Sequence, residues 1–213
     1  SLENLLKKRR GDMWEWGSGG STIYFSKFCN EYYSIEHKSN WYKAINNIKP
    51  KNVKCFLVPN DIPQAEKDDG TKEEFASYIK FINNFKGKIF DYVFIDGRAR
   101  PYCAEECLNF ISKDSYIIIH DWPDKDSEDE TRIPYRSVLD FLNLVKIFDM
   151  YECHVHIFDP TPRSIKYSEK IIRENELEDY ISFYPYGISD KDCQEQFWGP
   201  ANPKAVSHSC IHG

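Results

Sequence analysis

The chain has 213 residues, of which 41% are hydrophobic and 29% are charged, and its formal net charge at pH 7 is -6. A chain of this length buries roughly 70% of its unfolded surface, so one domain, or one domain and part of a second, needs neither a disulfide nor a structural metal. The composition excludes a disordered chain, a membrane helix of about 18 apolar residues and nucleic-acid binding driven by bulk positive charge.

Apolar runs of strand length alternate with segments of helical spacing over the first 150 residues. Strands are predicted at 12–16, 32–35, 53–58, 90–95 and 116–119, and helices at 23–28, 41–48, 75–85 and 101–111. The fourth strand is apolar almost throughout, which is typical of a strand buried on both faces. This alternation predicts an α/β fold with a mostly parallel sheet and helices on both faces.

The remainder of the chain is less regular. Strands are predicted at 153–158 and 180–186 with a helix at 163–174 between them, whereas the proline-rich stretch 199–203 is incompatible with regular structure. We therefore expect a first domain over residues 1–152. Residues 153–213 form a partial α/β segment that either packs on this domain or begins a truncated second one.

Polar residues and glycines stand where the predicted strands end. In an open parallel sheet, ligands bind beyond the carboxyl ends of the strands, near the point where the strand order reverses. These positions are therefore candidate ligand-binding residues. They are Glu15 to Thr22, Glu36 with His37, Asn60 with Asp61, Asp96 to Arg98, and His120 with Asp121.

The turn after the first strand, Gly17-Ser18-Gly19-Gly20, lets a ligand approach the backbone because glycine has no side chain. Its G-x-G-G spacing is neither the dinucleotide fingerprint G-x-G-x-x-G nor a P-loop. Glu36, at the end of the second strand, is placed to accept hydrogen bonds from two ribose hydroxyls. The turn and the acid together favour a cofactor that contains a nucleoside.

Four motifs in this order resemble the class I methyltransferases, over about residues 10–150. The resemblance implies a Rossmann-like, seven-stranded sheet that binds S-adenosylmethionine. The motifs are Glu15-Trp16-Gly17-Ser18-Gly19-Gly20-Ser21-Thr22, Ser34-Ile35-Glu36-His37, Phe94-Ile95-Asp96-Gly97-Arg98-Ala99-Arg100 and His120-Asp121-Trp122.

The same resemblance implies roles for individual residues. The methionine part of the cofactor would lie on the first turn, the ribose on the end of the second strand, and the adenine near the end of the third. Trp41 would pack nearby or belong to the core. The implied cofactor-binding residues are Glu15, Gly17, Ser18, Gly19, Glu36, His37, Asn60, Asp61 and Asp96.

Asp96, His120 and Asp121 are the candidate catalytic residues. Methyl transfer requires an aligned acceptor and removal of its proton. In one interpretation His120 or Asp96 is the general base. In another, Asp96 and Asp121 bind Mg2+ or another divalent cation that lowers the pKa of the acceptor hydroxyl. In a third, Asp121 caps the following segment and His120 is a core residue.

Stretches of residues 153–213 resemble a different branch, the FkbM-type methyltransferases. The aspartate matching Asp159 would contact the cofactor ribose, but the glycine turn that should precede it is absent, so we assign this segment no active site of its own. The stretches are Phe158-Asp159-Pro160-Thr161-Pro162-Arg163-Ser164, Tyr184-Pro185-Tyr186-Gly187-Ile188-Ser189-Asp190 and Pro203-Lys204-Ala205-Val206-Ser207-His208-Ser209.

The sequence thus predicts an S-adenosylmethionine-dependent O-methyltransferase that acts on a hydroxyl of a sugar, a glycan or another small polyhydroxylated acceptor, without a nucleic-acid or membrane partner. The alternatives are a nucleotide-sugar or dinucleotide-dependent enzyme on the same fold, and a non-catalytic module of a multidomain protein. The sequence is also compatible with a homo-oligomer. We also predict a cytoplasmic location. The seven cysteines include no CxxC pair, and the first eleven residues do not resemble a signal peptide.

Overall fold

The computed structural model describes residues 2–62, 70–120, 154–158, 169–170, 172–174, 176–184, 197–198 and 209–210. Its main feature is a seven-stranded sheet in the order β3-β2-β1-β4-β5-β6-β7, in which every pair of neighbouring strands is parallel. This confirms the predicted Rossmann-like α/β fold. The strands are β1 (Met13–Trp16), β2 (Tyr32–Glu36), β3 (Val53–Leu57), β4 (Tyr92–Ile95), β5 (Tyr116–His120), β6 (His154–Phe158) and β7 (Ile181–Tyr184), and a separate antiparallel pair contains β8 (Phe197–Trp198) and β9 (Ser209–Cys210).

The helices lie close to their predicted positions, but three of them change geometry before they end. Beyond α2, α4 and α5 the chain continues directly into a tighter 3-10 turn, at 26–28, 81–85 and 108–110. Such turns are frequent at helix ends. The predicted ranges therefore have the right positions, but the prediction that each range is α-helical throughout was wrong. The helices are α1 (Leu2–Lys8), α2 (Gly20–Phe25), α3 (Ser39–Ile48), α4 (Ala76–Lys80) and α5 (Arg100–Cys107).

Alternate residues of each strand face opposite sides of the sheet, and both sides are covered. On β1, Trp14 and Trp16 join the core cluster that contains residues of α4 and α5. Met13 points the other way and joins a second cluster with residues of α1 and α2. A parallel sheet with both faces covered explains the apolar strands seen in the sequence.

The strands β6 and β7 extend the sheet at its β5 edge. The predicted domain boundary at residue 152 therefore falls between two adjacent strands of one sheet. Buried Ile172, Leu177 and Ile181 belong to the same core cluster as α4 and α5. Asp159 lies outside the described residues.

The strand order fixes where a ligand can bind. The chain builds outward from β1 through β2 to β3, and then continues on the other side of β1 with β4 and β5. The reversal point is therefore the carboxyl edge between β1 and β4, where open sheets of this kind hold ligands. No helix in the described ranges is long and apolar enough to cross a membrane.

Candidate functional site

Two glycines bring the loops at the reversal point into contact. Gly17 has a φ of 100°, and a Cβ built on it would lie 2.6 Å from both Cα and N of Gly97. A Cβ on Gly97 would in turn overlap the Tyr78 hydroxyl. The turn after β1 thus packs directly against the end of β4. Gly17, which was predicted to bind the cofactor, therefore packs closely against the backbone of Gly97.

Gly19 and Gly20 have open space around them in the described part of the chain. A Cβ on Gly19 would meet only the Ser21 hydroxyl, at 3.8 Å, and a Cβ on Gly20 would have no described atom within 4 Å. The backbone N–H of Gly19 donates to Thr22 Oγ1 at 2.8 Å. A ligand can therefore reach the backbone at Gly19 and Gly20.

The carboxylate of Glu15 holds this turn in place through hydrogen bonds. The side chain is fully buried and accepts hydrogen bonds from the hydroxyls of Ser21 and Thr22, each at 2.5 Å, and of Ser34 at 2.6 Å. Ser34 is its register partner on β2. Burial raises the pKa of Glu15 to about 7, although the three hydroxyls act in the opposite direction. Because no part of the side chain is exposed, Glu15 can act on a ligand only through the turn it holds.

Ser18 connects the turn to its neighbours. Its hydroxyl lies 2.6 Å from that of Ser34 and 3.4 Å from the thiol of Cys55. Its carbonyl accepts a hydrogen bond from the indole N–H of Trp41, on α3. The predicted cofactor residue Ser18 is thus buried, and its side chain faces β2 and β3.

Glu36 ends β2 beside this turn. Its side chain is only 5% exposed, and its Oε1 accepts the backbone N–H of Lys38 at 2.8 Å. His37 Nδ1 lies 3.1 Å from the same oxygen, while its ring packs edge-on against Phe75 and Tyr78. Within the described part of the chain no donor bonds to the second oxygen, Oε2. Glu36 therefore keeps one acceptor for a ligand.

Asn60 and Asp61 follow β3, in the predicted adenine region. The amide of Asn60 donates to the carbonyl of Ile62 at 2.6 Å. The carboxylate of Asp61 accepts the backbone N–H and the hydroxyl of Ser77, at 2.7 and 2.5 Å, and these hydrogen bonds lower its pKa. The amide nitrogen of Asn60 is thus engaged within the loop, and both carboxylate oxygens of Asp61 are engaged at Ser77 in α4.

Asp96 and His120 form a pair on the other side of the reversal point. They lie on adjacent strands, beyond the register pair Ile95 and Ile119, with His120 Nδ1 2.9 Å from Asp96 Oδ1. About a quarter of each side chain is exposed, 24% of His120 and 29% of Asp96. The guanidinium of Arg100 is 3.8 Å from the same carboxylate oxygen.

The environment of Asp96 keeps its carboxylate ionised. Burial, the largest single influence, raises the pKa, but the hydrogen bond and charge of His120 and the charges of Arg100 and Arg98 outweigh it, so the pKa is lowered. An ionised carboxylate on an imidazole nitrogen orients the ring and stabilises its protonated form. The pair can therefore take a proton from a substrate or return it.

The predicted Mg2+ site has one of its two ligands, Asp96, in the described ranges. These ranges contain no group of three or more histidine, cysteine, aspartate or glutamate residues placed to hold a metal ion. Asp121, its second predicted ligand and the third predicted catalytic residue, lies outside the described residues.

No protein-family model matches this chain, and no curated protein matches it either. Its fold resembles the solved structure of a protein from Burkholderia multivorans described as a short-chain alcohol dehydrogenase, with 10% identity and a TM-score of 0.47 over 82% of this chain and 96% of that one. It also resembles Sniffer of Caenorhabditis elegans, described as a carbonyl reductase, with 9% identity and a TM-score of 0.46 over 84% of this chain and 100% of that one.

These findings correct the predicted family. The resembling structures are described as a dehydrogenase and a reductase, and the all-parallel order extends the 3-2-1-4-5-6 arrangement of dinucleotide-binding sheets. The class I and FkbM-type methyltransferase assignments, S-adenosylmethionine as the cofactor, and methyl transfer to a sugar hydroxyl are therefore wrong. The physical reason is that the motifs behind them mark the carboxyl edge of an open parallel sheet, where different folds of this kind bind different ligands.

Sequence reasoning missed three contributors to the site. Gly97 was predicted only as a candidate ligand-binding position, although a glycine at the end of the strand beside the first turn signals the close backbone approach to Gly17. Ser34 occupies an alternate position of β2, opposite Glu15. The link from Trp41 to Ser18 has no signal in the sequence, because it depends on how α3 is placed against the turn.

Proposed function

We propose that this chain binds an NAD-type dinucleotide at the reversal point of its sheet and acts as a dinucleotide-dependent oxidoreductase. The observation that carries the proposal is Glu36, a buried carboxylate at the tip of β2 with one oxygen left to accept. In dinucleotide-binding sheets an acid about 20 residues beyond the first glycine accepts the ribose 2′-hydroxyl. An acid here also favours NAD over NADP, because the 2′-phosphate of NADP would meet a negative charge.

The turn after β1 supports the same ligand, with one departure from the fingerprint. Gly17 makes the tight turn and Gly19 leaves the backbone approachable, as the first two glycines of G-x-G-x-x-G do. The third position is Thr22, which is fully buried. Its hydroxyl donates to Glu15 and accepts from the N–H of Gly19, so a polar contact joins α2 to β1 where glycine would allow direct packing.

The pair of Asp96 and His120 supplies acid–base chemistry suited to an alcohol or carbonyl substrate. A bound nicotinamide would supply the hydride acceptor or donor. The residues of the chain handle the proton: His120 takes it from the substrate hydroxyl at Nε2, while Nδ1–H donates to Asp96. In the reverse direction the same ring returns the proton to the carbonyl oxygen. The proposed substrate is a small molecule that carries a hydroxyl or carbonyl group.

Titration calorimetry with NAD+, NADP+, UDP-glucose and S-adenosylmethionine tests the cofactor. NAD+ is expected to bind most tightly, and Glu36→Gln to weaken it at least tenfold, which corresponds to about 1.4 kcal/mol. Glu31→Gln is the matched control, since Glu31 directly precedes β2 at the opposite edge of the sheet. Binding of S-adenosylmethionine but not NAD+, or equal affinity of both variants, would overturn the proposal.

We also propose that the protein works in a reducing compartment such as the cytoplasm. All four cysteines whose state the structure describes, Cys29, Cys55, Cys103 and Cys107, are free thiols. Free buried thiols are usual where glutathione keeps cysteines reduced.

A further inference from the structure

Trp41 is an exposed aromatic side chain that is nevertheless held in place. It is the third residue of α3, and the residue is 50% exposed. Its indole N–H donates to the carbonyl of Ser18. A tryptophan usually covers most of its large apolar surface, and a hydrogen bond at one end fixes the plane of the ring. The result is a fixed, flat, apolar surface that is open to solvent.

The position of this surface follows from its two attachments. Ser18 lies within the open glycine turn, between Gly17 and Gly19. At the other end, α3 starts at Ser39, three residues after Glu36, whose Oε1 accepts the N–H of Lys38, the residue before the helix. The indole therefore spans from the turn after β2 to the turn after β1. These are the two turns on which the proposed function places the dinucleotide, with its ribose at Glu36.

We infer that the exposed face of Trp41 stacks on the adenine of the bound dinucleotide, with the adjoining ribose on Glu36. This inference rests on the proposed function and deepens it. We assign Trp41 to the adenine half of the dinucleotide because Trp41 lies on the β2 side of the reversal point. Asp96 and His120, which would face the reacting ring, belong to the β4 and β5 side. Aromatic side chains stack on any base, since every base has a π-face.

Another exposed apolar residue of the same helix shows what is particular about Trp41. Ile48 ends α3 and is 66% exposed, but it is two turns of helix farther from the glycine turn. It has neither an aromatic face nor a polar atom that could fix its orientation. Ile48→Ala is therefore the matched control for a loss of exposed apolar surface on α3.

Calorimetry with NAD+, AMP and nicotinamide mononucleotide tests the inference on wild type, Trp41→Ala, Trp41→Phe and Ile48→Ala. Base stacking is worth about 1–3 kcal/mol per base by alanine substitution, which is roughly 5- to 150-fold in affinity. Trp41→Ala is expected to weaken NAD+ and AMP by the same factor within this range and to leave the mononucleotide unchanged. Trp41→Phe should retain most of the affinity, and Ile48→Ala all of it.

Fluorescence gives a second readout that needs no turnover. Quenching of Trp41 on NAD+ binding is expected in wild type and should be lost in Trp41→Phe. Unchanged or tighter NAD+ binding by Trp41→Ala, or an equal loss of mononucleotide binding, would overturn the stacking. The proposed function fails differently: a wild type that binds AMP but not NAD+ overturns the oxidoreductase, while the AMP affinity of Trp41→Ala still decides the stacking.

Discussion

The contact between the two glycine turns predicts that Gly17→Ala is strongly destabilising. Gly17 has a φ of 100°, in the region that L residues avoid, and an alanine there costs about 1–2 kcal/mol in backbone conformation alone. The new methyl group would also lie 2.6 Å from backbone atoms of Gly97 and 2.8 Å from the carbonyl carbon of Asp96. Those atoms belong to a strand end that is hydrogen-bonded to β1, so they cannot move away independently.

The total cost can be bounded from these two contributions. Overpacking in a well-packed region costs about 1–3 kcal/mol, so Gly17→Ala is expected to lower the free energy of unfolding by about 2–5 kcal/mol. This is a large part of the roughly 5–15 kcal/mol that stabilises a typical domain. Gly20→Ala is the matched control, because a Cβ on Gly20 meets no described atom within 4 Å. Since Gly20 is the first residue of α2, its replacement by alanine should be neutral or stabilising by up to about 1 kcal/mol.

Urea unfolding followed by circular dichroism measures both variants, and a midpoint shift without a change in slope reports stability. A Gly17→Ala protein within about 0.5 kcal/mol of Gly20→Ala would refute the packing argument. The control has its own use, since it adds a methyl group where the dinucleotide backbone is proposed to lie. Gly20→Ala should therefore bind NAD+ more weakly although it is as stable as the wild type.

Two further predictions concern the acids at the carboxyl edge. Because burial raises the pKa of Glu15 from 4.5 to about 7, the folded state binds a proton that the unfolded chain has lost, so stability falls as the pH rises from about 4.5 to about 7. Glu15→Gln should flatten this part of a pH series of urea unfolding curves, and an unchanged slope would contradict the assignment. Asp96→Asn is expected to lower turnover by about 10²–10⁴-fold and leave NAD+ affinity within about twofold, whereas a matching loss of affinity would place Asp96 in cofactor binding.

The strands were predictable because their signal is local. Runs such as Tyr116 to Ile119 are apolar on both faces, as a doubly covered parallel sheet requires, and the seven predicted strands of the main sheet agree with β1 to β7 within two residues. The ends of the helices were less predictable. The change to 3-10 geometry at Phe81 and Leu108 depends on how each helix packs against the sheet, and apolar spacing does not record it.

The site was predictable in place and only partly in role. Chain order alone put Glu36, Asp96 and His120 at one edge, because parallel strands share their carboxyl ends. It could not show that Gly17 faces Gly97 or that Ser34 bonds to Glu15, since these contacts join segments 19 or more residues apart. The same motifs could not specify which cofactor binds. A glycine turn and an acid indicate how a nucleoside is held, but they do not determine the remaining part of the ligand.

Three acids at one edge of the sheet differ in what surrounds them. Glu15 is fully buried and bonded to three hydroxyls, and Asp96 is bonded to His120 and flanked by Arg100. A carboxylate whose charge is already neutralised or whose oxygens are already bonded gains little from a ligand. Glu36 has neither a cationic lysine or arginine partner nor a hydroxyl donor in the described ranges, and its Oε2 lacks a donor there. These surroundings are the basis of our proposal that Glu36 recognises a ribose hydroxyl, while Glu15 holds the turn and Asp96 orients His120.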